Sequence, residues 1–87
     1  MYTLLYTEQA LADIRMLKQK EPKLTKKLIS LLGEIQEHPR SGTGQVERLK
    51  HYEGEVWSRR ISKKHRLVYR IIENRIEVFV ISAYGHY

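Results

Sequence analysis

The fold is decided by residues 56–83, VWSRRISKKHRLVYRIIENRIEVFVISA. This stretch contains three runs rich in β-branched and aromatic residues, separated by polar turns at residues 63–65 and 73–74. Short runs of this kind, joined by tight polar turns, predict an antiparallel meander of three strands. The predicted strands are residues 56–62, 66–72 and 75–83.

Upstream of the meander, the spacing of apolar residues predicts a strand and two helices. Residues 2–6 fit a short strand, and Thr7 is a suitable N-cap for a helix that extends to about Lys20. Pro22 suits the first turn of a second helix, which ends at His38 because a residue before proline avoids the helical region. The apolar stripes are Ala10, Leu11, Ile14 and Leu17, then Leu24, Leu28, Leu31, Leu32 and Ile35. We therefore expect an α+β fold, with two antiparallel helices packed on one face of an antiparallel sheet.

Length and composition limit the possible classes of protein. A chain of 87 residues allows one domain, expected to span residues 1–87, with one modest core. The lack of cysteine excludes disulfides, thiolate nucleophiles and zinc–thiolate sites. No apolar run approaches the roughly 20 residues of a membrane span, and residues 1–6 lack the basic start of a signal peptide. We expect a cytoplasmic protein with no membrane partner.

The net charge of +6 is unevenly distributed. Residues 44–70 hold eight of the sixteen basic residues but only three of the ten acidic ones, which favours a polyanion as partner. A plain solvated surface is an equally common reason for such a run. The glycine-rich residues 40–45 are not followed by Lys-Ser or Lys-Thr, so they predict a linker and not a phosphate-binding loop.

Alternation along the predicted strands separates the basic residues by face. If Trp57 and Ile61 face the helices, Arg60 points away from them and Arg59 lies at the margin of the core face. The same rule turns Leu67, Tyr69 and Ile71 inward. It turns outward Val56, Ser58, Arg60, Arg66 and Arg70. Arginine suits phosphate because its planar fork donates two parallel hydrogen bonds.

The last six residues, SAYGHY, place His86 and Tyr87 after an apolar run. Imidazole has an ordinary pKa close to the working pH, which makes His86 a candidate acid, and a tyrosine ring can stack on a splayed base. The alternatives are a disordered terminal histidine and a hydrophobic plug. Residues 78–81 should pin this segment into the sheet.

Four segments resemble the YoeB/Txe branch of the RelE toxin superfamily: ERLKH at 47–51, WSRRI at 57–61, HRLVY at 65–69, and the final His86-Tyr87. The resemblance is close over residues 44–87, whereas the first half agrees in length and element order. It implies a ribosome-dependent messenger RNA endonuclease that cuts in the ribosomal A site. It also implies a metal-free and cofactor-free transfer of the 2'-hydroxyl onto the neighbouring phosphate, an antitoxin that inhibits the protein, and a homodimer.

The resemblance also implies three catalytic roles. Glu47 is the general base, Arg66 binds the scissile phosphate, and His86 is the general acid. A carboxylate set among basic residues stays ionised at neutral pH and can accept a proton. The alternatives are an ordinary surface position for Glu47, and for Arg66 a cross-strand ion pair with Glu77 or Glu55.

The expected RNA-contact residues are Tyr87, Lys50, Arg60 and, more weakly, Arg59. Family members often carry a bulkier residue at position 85, so Gly85 is expected to loosen the backbone before His86. His51 and His65 are 14 positions apart with no cysteine in the chain, which makes a metal site improbable.

Two alternative functions remain at this stage. A gyrase-poisoning toxin of the same fold would need no acid–base set and would not end in His-Tyr. A noncatalytic RNA-binding module would keep the arginines but would be indifferent to Glu47→Ala and His86→Ala.

Overall fold

The computed structural model describes residues 1–85, and this part of the chain contains two helices and a five-stranded sheet. One turn of 3-10 helix at Pro22–Leu24 links the two helices, and another at Glu73–Arg75 links the last two strands. The elements in chain order are β1 (Thr3–Tyr6), α1 (Glu8–Lys20), α2 (Thr25–Glu37), β2 (Glu47–Leu49), β3 (Glu55–Arg60), β4 (Arg66–Ile72) and β5 (Glu77–Ser82). The predicted α+β class is confirmed.

Local sequence determines where the helices begin and end. The Thr7 hydroxyl accepts a hydrogen bond from the N–H of Ala10 (3.0 Å), so it caps α1 as predicted. The same hydroxyl donates to the carbonyl of Ile81 (2.9 Å), which ties the start of α1 to the end of β5. Helix α2 ends at Glu37, because His38 precedes Pro39 and adopts a non-helical φ of −139°.

The sheet is mixed, which corrects the prediction of a fully antiparallel sheet. Its strand order is β1-β5-β4-β3-β2, and β1 pairs with β5 in parallel, with Thr3 opposite Glu77. The predicted meander β3-β4-β5 is antiparallel. Strand β2 was not predicted, and it forms the edge of the sheet beside β3.

The helices cover one face of the sheet and create the main core with it. Leu17 of α1 and Leu28 of α2 are buried with Leu67 and Tyr69 of β4 in one cluster. The sequence predicts that Leu67, Tyr69 and Ile71 point inward, and all three lie in this buried cluster, so the prediction is confirmed. Leu11 is the exception among the predicted helix stripes, since 45% of it is exposed.

The loop between α2 and β2 is tied to the sheet by Arg40. Its Nε donates to Glu55 (2.6 Å), and its Nη2 donates to Glu73 (2.9 Å). The hydroxyl of Tyr2 donates to Glu73 as well (2.7 Å), and the indole N–H of Trp57 donates to Glu55 (2.9 Å). Among the described residues, no helix is long and apolar enough to span a bilayer.

Candidate functional site

The candidate site lies on the open face, by which we mean the sheet face that points away from the helices. Register sets Glu47 of β2 opposite Ser58 of β3, and Arg60 of β3 opposite Arg66 of β4. Paired residues share a face and side chains alternate along a strand, so these four residues belong to the same face. The predicted outward placement of Ser58, Arg60 and Arg66 is confirmed. A small apolar cluster lies on this face, formed by Leu49, Val56, Val68 and Ile81.

Arg66 begins β4, and its guanidinium group is fixed by neighbours although it belongs to the open face. Its Nε and Nη2 donate to the hydroxyl of Ser58 at 3.2 and 3.0 Å, and Nη2 also donates to the carbonyl of Gln45 at 3.1 Å. Only 7% of the residue is exposed. A guanidinium held in this way is pre-organised, because little side-chain freedom remains to be lost when an anion binds.

Glu47 lies at the start of the edge strand β2 and is exposed. Its register partner Ser58 is the residue that accepts from Arg66, so a carboxylate and a guanidinium flank one serine on the open face. Glu55, considered from sequence as an ion-pair partner of Arg66, binds Arg40 instead. By alternation Glu55 belongs to the helix side of β3, with Trp57.

Positive charge is concentrated around Glu47 and Arg66. Arg60 and Arg66 are direct cross-strand partners, and like charges placed opposite each other destabilise a strand pair. A sheet that retains such a pair has the arrangement expected of an anion-binding face, where local rules are broken for function. Lys50 is exposed just after β2 and lines a groove of about 370 Å³ together with Glu47, Arg48, Leu49, His51 and Tyr52.

Arg59 is a structural residue, which corrects its expected role as an RNA contact. It is completely buried (0% exposed) and forms an ion pair with Glu34 of α2 at 2.9 Å. Its Nε donates to the hydroxyl of Tyr69 (3.0 Å), and its other nitrogens donate to loop carbonyls of His38, Ser41 and Thr43. The predicted orientation toward the core face is therefore right. The predicted contact with RNA is wrong, because the group is inside the protein.

His86 and Tyr87 lie outside the described residues, so their predicted roles remain predictions. The last described residue is Gly85, whose carbonyl accepts a hydrogen bond from the backbone N–H of Arg66 (3.0 Å). The backbone immediately before His86 is thus joined to Arg66. The expectation that Gly85 loosens the backbone before His86 stays a prediction. Both polar groups of Gly85 itself are bound, since its N–H donates to Nδ1 of His65 (2.8 Å).

Sequence reasoning missed two contributors to this region, Ser58 as the support of Arg66 and the pair formed by His65 and Glu21. Alternation did turn Ser58 outward, but nothing in the pattern gave its hydroxyl a partner. His65 and Glu21 are 44 positions apart, so no local motif joins them. Within residues 1–85, no group of three or more potential metal-ligating side chains occurs.

Three carboxyl groups that hold the fold have a pKa lowered by their hydrogen-bond partners. The largest effect on Glu34 is the hydrogen bond from the backbone N–H of Thr43, which lowers the pKa of this carboxyl, and Arg59 lowers the pKa further. Hydrogen bonds from Arg40 lower the pKa of Glu55, and the Tyr2 hydroxyl followed by Arg40 lowers that of Glu73. These three carboxylates therefore stabilise the folded chain in their ionised form.

Comparison with known protein sequences points to one family. A family profile described as "YoeB-like toxin of bacterial type II toxin-antitoxin system" matches residues 6–87. The chain is 37% identical over 82 residues to a protein named "Toxin YoeB" from Synechocystis sp., an alignment that covers 94% of this chain and 93% of that relative.

Solved structures agree with the sequence comparison. A structure described as "YoeB/ParE toxin from Agrobacterium tumefaciens" has a TM-score of 0.88 at 30% identity and covers 98% of this chain and 99% of that one. A YoeB dimer from Staphylococcus aureus gives 0.85 at 32% identity, with 99% and 98% covered. The heterotetrameric YoeB-YefM toxin-antitoxin complex from the same organism gives 0.81 at 31%, with 100% and 99% covered.

Proposed function

This chain belongs to the YoeB-like toxins of bacterial type II toxin-antitoxin systems, and from that premise we propose that it is an endoribonuclease. Its proposed substrate is messenger RNA in the A site of the ribosome, and its proposed effect is to stop translation. The proposed reaction is a transfer of the RNA's own 2'-hydroxyl onto the adjacent phosphate, carried out by protein side chains without a metal or cofactor.

The observation that carries this proposal is the placement of Glu47 and Arg66 around Ser58 on the open face. Glu47 supplies an exposed carboxylate at the rim, and Arg66 supplies a guanidinium held by Ser58 and Gln45. A base and a phosphate-binding cation within one small region are two of the three groups that the reaction requires. The third, the acid, is proposed to be His86.

The chemistry balances with these three groups. The Glu47 carboxylate removes the proton of the 2'-hydroxyl, and the resulting oxygen forms a bond to the neighbouring phosphorus. Arg66 stabilises the negative charge that builds up on the phosphate oxygens. The bond from phosphorus to the 5'-oxygen then breaks, and His86 gives that oxygen a proton. The products are a 2',3'-cyclic phosphate and a 5'-hydroxyl end.

The remaining roles concern how the RNA is held. Lys50 and Arg60 are proposed to contact backbone phosphates on either side of the cut, and Tyr87 is proposed to stack on a base. The proposed phosphate contact of Lys50 is supported by its exposed position beside the groove along β2. The proposed role of Arg60 is supported by its position on the open face, directly opposite Arg66.

The proposed protein partners follow from the family. An antitoxin is proposed to cover the basic open face and so inhibit the toxin, in keeping with the YoeB-YefM complex named above. A homodimer is proposed by analogy with the YoeB dimer. The compartment proposed for this activity is the cytoplasm, where ribosomes and messenger RNA occur together.

Single-turnover cleavage of a defined messenger RNA on ribosomes tests the proposed roles. Glu47→Ala and His86→Ala should each lower the rate roughly a hundredfold or more, the usual scale for a general base or acid. Arg66→Lys keeps the charge but loses the fork, so it should also slow cleavage. Glu53→Gln is the matched control, because Glu53 is an exposed carboxylate in the loop after β2, and it should cleave at the rate of the original chain.

Cleavage that survives in the double variant Glu47→Ala, His86→Ala would rule out this assignment. If the folded chain binds RNA and inhibits translation without cutting, the noncatalytic RNA-binding module takes its place. Inhibition of DNA supercoiling without any effect on RNA would support the gyrase-directed alternative.

A further inference from the structure

Each described residue after β5, from Ala83 to Gly85, has a specific contact elsewhere in the fold. The N–H of Ala83 donates to the carboxylate of Asp13 on α1 (3.0 Å). The ring of Tyr84 stacks on the ring of His65, with centroids 4.3 Å apart and planes inclined by 28°. Gly85 is bound through both its N–H and its carbonyl. Two consecutive residues, His65 and Arg66, hold the two polar groups of Gly85.

The buried imidazole ring of His65 makes three different contacts. Only 4% of it is exposed. Because the N–H of Gly85 donates to Nδ1, that nitrogen carries no proton, and the proton of the neutral ring is on Nε2. Nε2 faces the carboxylate of Glu21, at the end of α1, and donates to it. Glu21 thus selects the tautomer that Gly85 needs, in the way that a carboxylate commonly orients a histidine.

We propose that His65, oriented by Glu21, is a positioning residue that holds the backbone before His86 in register with Arg66. This inference rests on the proposed function, since it supplies the means by which a proposed acid is brought to a proposed phosphate-binding group. We call the set of His65, Glu21, Tyr84 and Gly85 the clasp. An error of about 1 Å in the placement of a reacting group can cost a hundredfold in rate, so a clasp at this point controls catalysis.

Imidazole is suited to this task in a way that other side chains are not. It offers an acceptor and a donor on opposite sides of a rigid ring, and a flat face for Tyr84. Asparagine can place an amide oxygen near the position of Nδ1, but it does not reach Glu21. Glutamine can place an amide nitrogen near the position of Nε2, but it leaves Gly85 without an acceptor. Comparing His65→Asn with His65→Gln therefore separates the hydrogen bond to Gly85 from the hydrogen bond to Glu21.

Gly85 is matched to the clasp by its backbone conformation. Its φ is +82°, a region that residues with a side chain rarely adopt. Among the described residues other than its chain neighbour, a Cβ built at this position would meet no atom within 4 Å, so what these residues require of Gly85 is its conformation and not space. The conformation turns the N–H toward His65 and the carbonyl toward Arg66.

Nuclear magnetic resonance tests the clasp without reference to activity. In the original chain, the imidazole nitrogens of His65 should show Nδ1 unprotonated and Nε2 protonated, and the amide of Gly85 should be protected from hydrogen exchange. His65→Gln should reduce that protection about fivefold to tenfold, the effect of one hydrogen bond, and His65→Asn should largely preserve it. A ring protonated at Nδ1 in the original chain would overturn the proposal even if no variant folded.

Ribosomal cleavage tests the positioning role. His65→Gln should lower kcat by about tenfold to a hundredfold with little change in KM, because RNA binding by Lys50 and Arg60 is intact. His65→Asn should lose less than His65→Gln. Tyr84→Phe, which keeps the stacked ring, should retain nearly full activity.

The outcomes are distinguishable from failure of the proposed function. Equal kcat in His65→Gln and the original chain, with Gly85 protection lost, would overturn the positioning role. Unchanged protection in a folded His65→Gln variant would overturn the clasp itself. If the original chain cuts no RNA, the proposed function fails, and the exchange of the Gly85 amide still decides whether the clasp exists.

Discussion

Arg59 and Arg60 are neighbours in β3 with identical side chains and opposite environments. Arg59 is buried under the loop that follows α2, and its donors are bound by Glu34, Tyr69 and loop carbonyls. Gly42 makes this possible, since a Cβ there would lie 2.2 Å from a carboxylate oxygen of Glu34. Alternation gave the face of each arginine from sequence alone. It could not show that a loop covers the inward one.

Truncating the two arginines should therefore have unequal effects on stability. Arg59→Ala should lower the free energy of unfolding by about 3 kcal/mol, near the lower end for breaking a buried pair, because Glu34 is 32% exposed and can regain water. Arg60→Ala should cost less than about 1 kcal/mol, as expected near a surface. Urea titration measures both values. Equal losses would contradict the division of roles between these residues.

At the scale of elements, the helices and the long strands could be predicted, whereas pairing direction and the shortest strand could not. Strand β1 is separated from the meander along the chain by both helices and β2, so its sequence carries no information on whether it runs parallel to β5. Strand β2 has three residues, which is too short for alternation to be visible. A register shift between β4 and β5 at Val68 and Tyr69 was not visible from sequence either.

The join between α1 and the segment after β5 depends on one buried carboxylate. Asp13 is 8% exposed, and its oxygens accept from Ala83 and from Gln9. Asp13→Ala should cost about 1–3 kcal/mol in the free energy of unfolding, because the buried N–H of Ala83 loses its acceptor. Asp13→Asn keeps an oxygen and should cost less. Urea titration measures both variants, and a loss in Asp13→Asn as large as in Asp13→Ala would contradict this account.

The loop between α2 and β2 should give the fold a specific sensitivity to acid. Arg40 lowers the pKa of Glu55 below its usual value of 4.5, so the folded state favours the ionised carboxylate. Its contribution to stability is complete above that usual value and is lost as pH falls through the lowered pKa of the folded state.

Glu55→Gln tests this sensitivity by urea titration over a series of pH values. The original chain should be more stable than Glu55→Gln near neutral pH, and the difference should shrink as pH falls below 4.5. Glu53→Gln, an exposed control in the loop before β3, should not reproduce this change. A gap between the original chain and Glu55→Gln that stays constant with pH would contradict the proposed stabilisation.

At the scale of the whole molecule, the sequence was most informative where pattern and motif agreed. The fold class and the family followed from the meander and from the segments around Glu47, Trp57 and Arg66, and both are confirmed. The clasp was not predictable, because it joins the end of α1, the turn before β4 and the segment after β5. Such contacts arise only when distant elements pack together.

The described residues combine a well-packed core with an open face that carries Arg60 and Arg66. The core ties the helices to β4 and β5, the Arg40 and Arg59 networks hold the loop after α2, and the clasp holds Tyr84 and Gly85 after β5. Two of these supports contact Arg66 directly: its Nη2 donates to the carbonyl of Gln45 in the loop after α2, and its backbone N–H donates to the carbonyl of Gly85 in the clasp. Preorganisation of this kind is what a reaction that depends on charge stabilisation needs from its scaffold.

The measurement that tests the central claim most directly is cleavage of a defined messenger RNA in a reconstituted translation system, with and without ribosomes, in which the new RNA ends are identified. We predict a cut in the ribosomal A site that leaves a 2',3'-cyclic phosphate and a 5'-hydroxyl. We also predict that a chelator of divalent metals, added once the ribosomal complex is assembled and at a concentration that leaves it intact, does not stop the cut. A 3'-hydroxyl end, or no cut by a folded chain that still inhibits translation, would contradict the proposed mechanism.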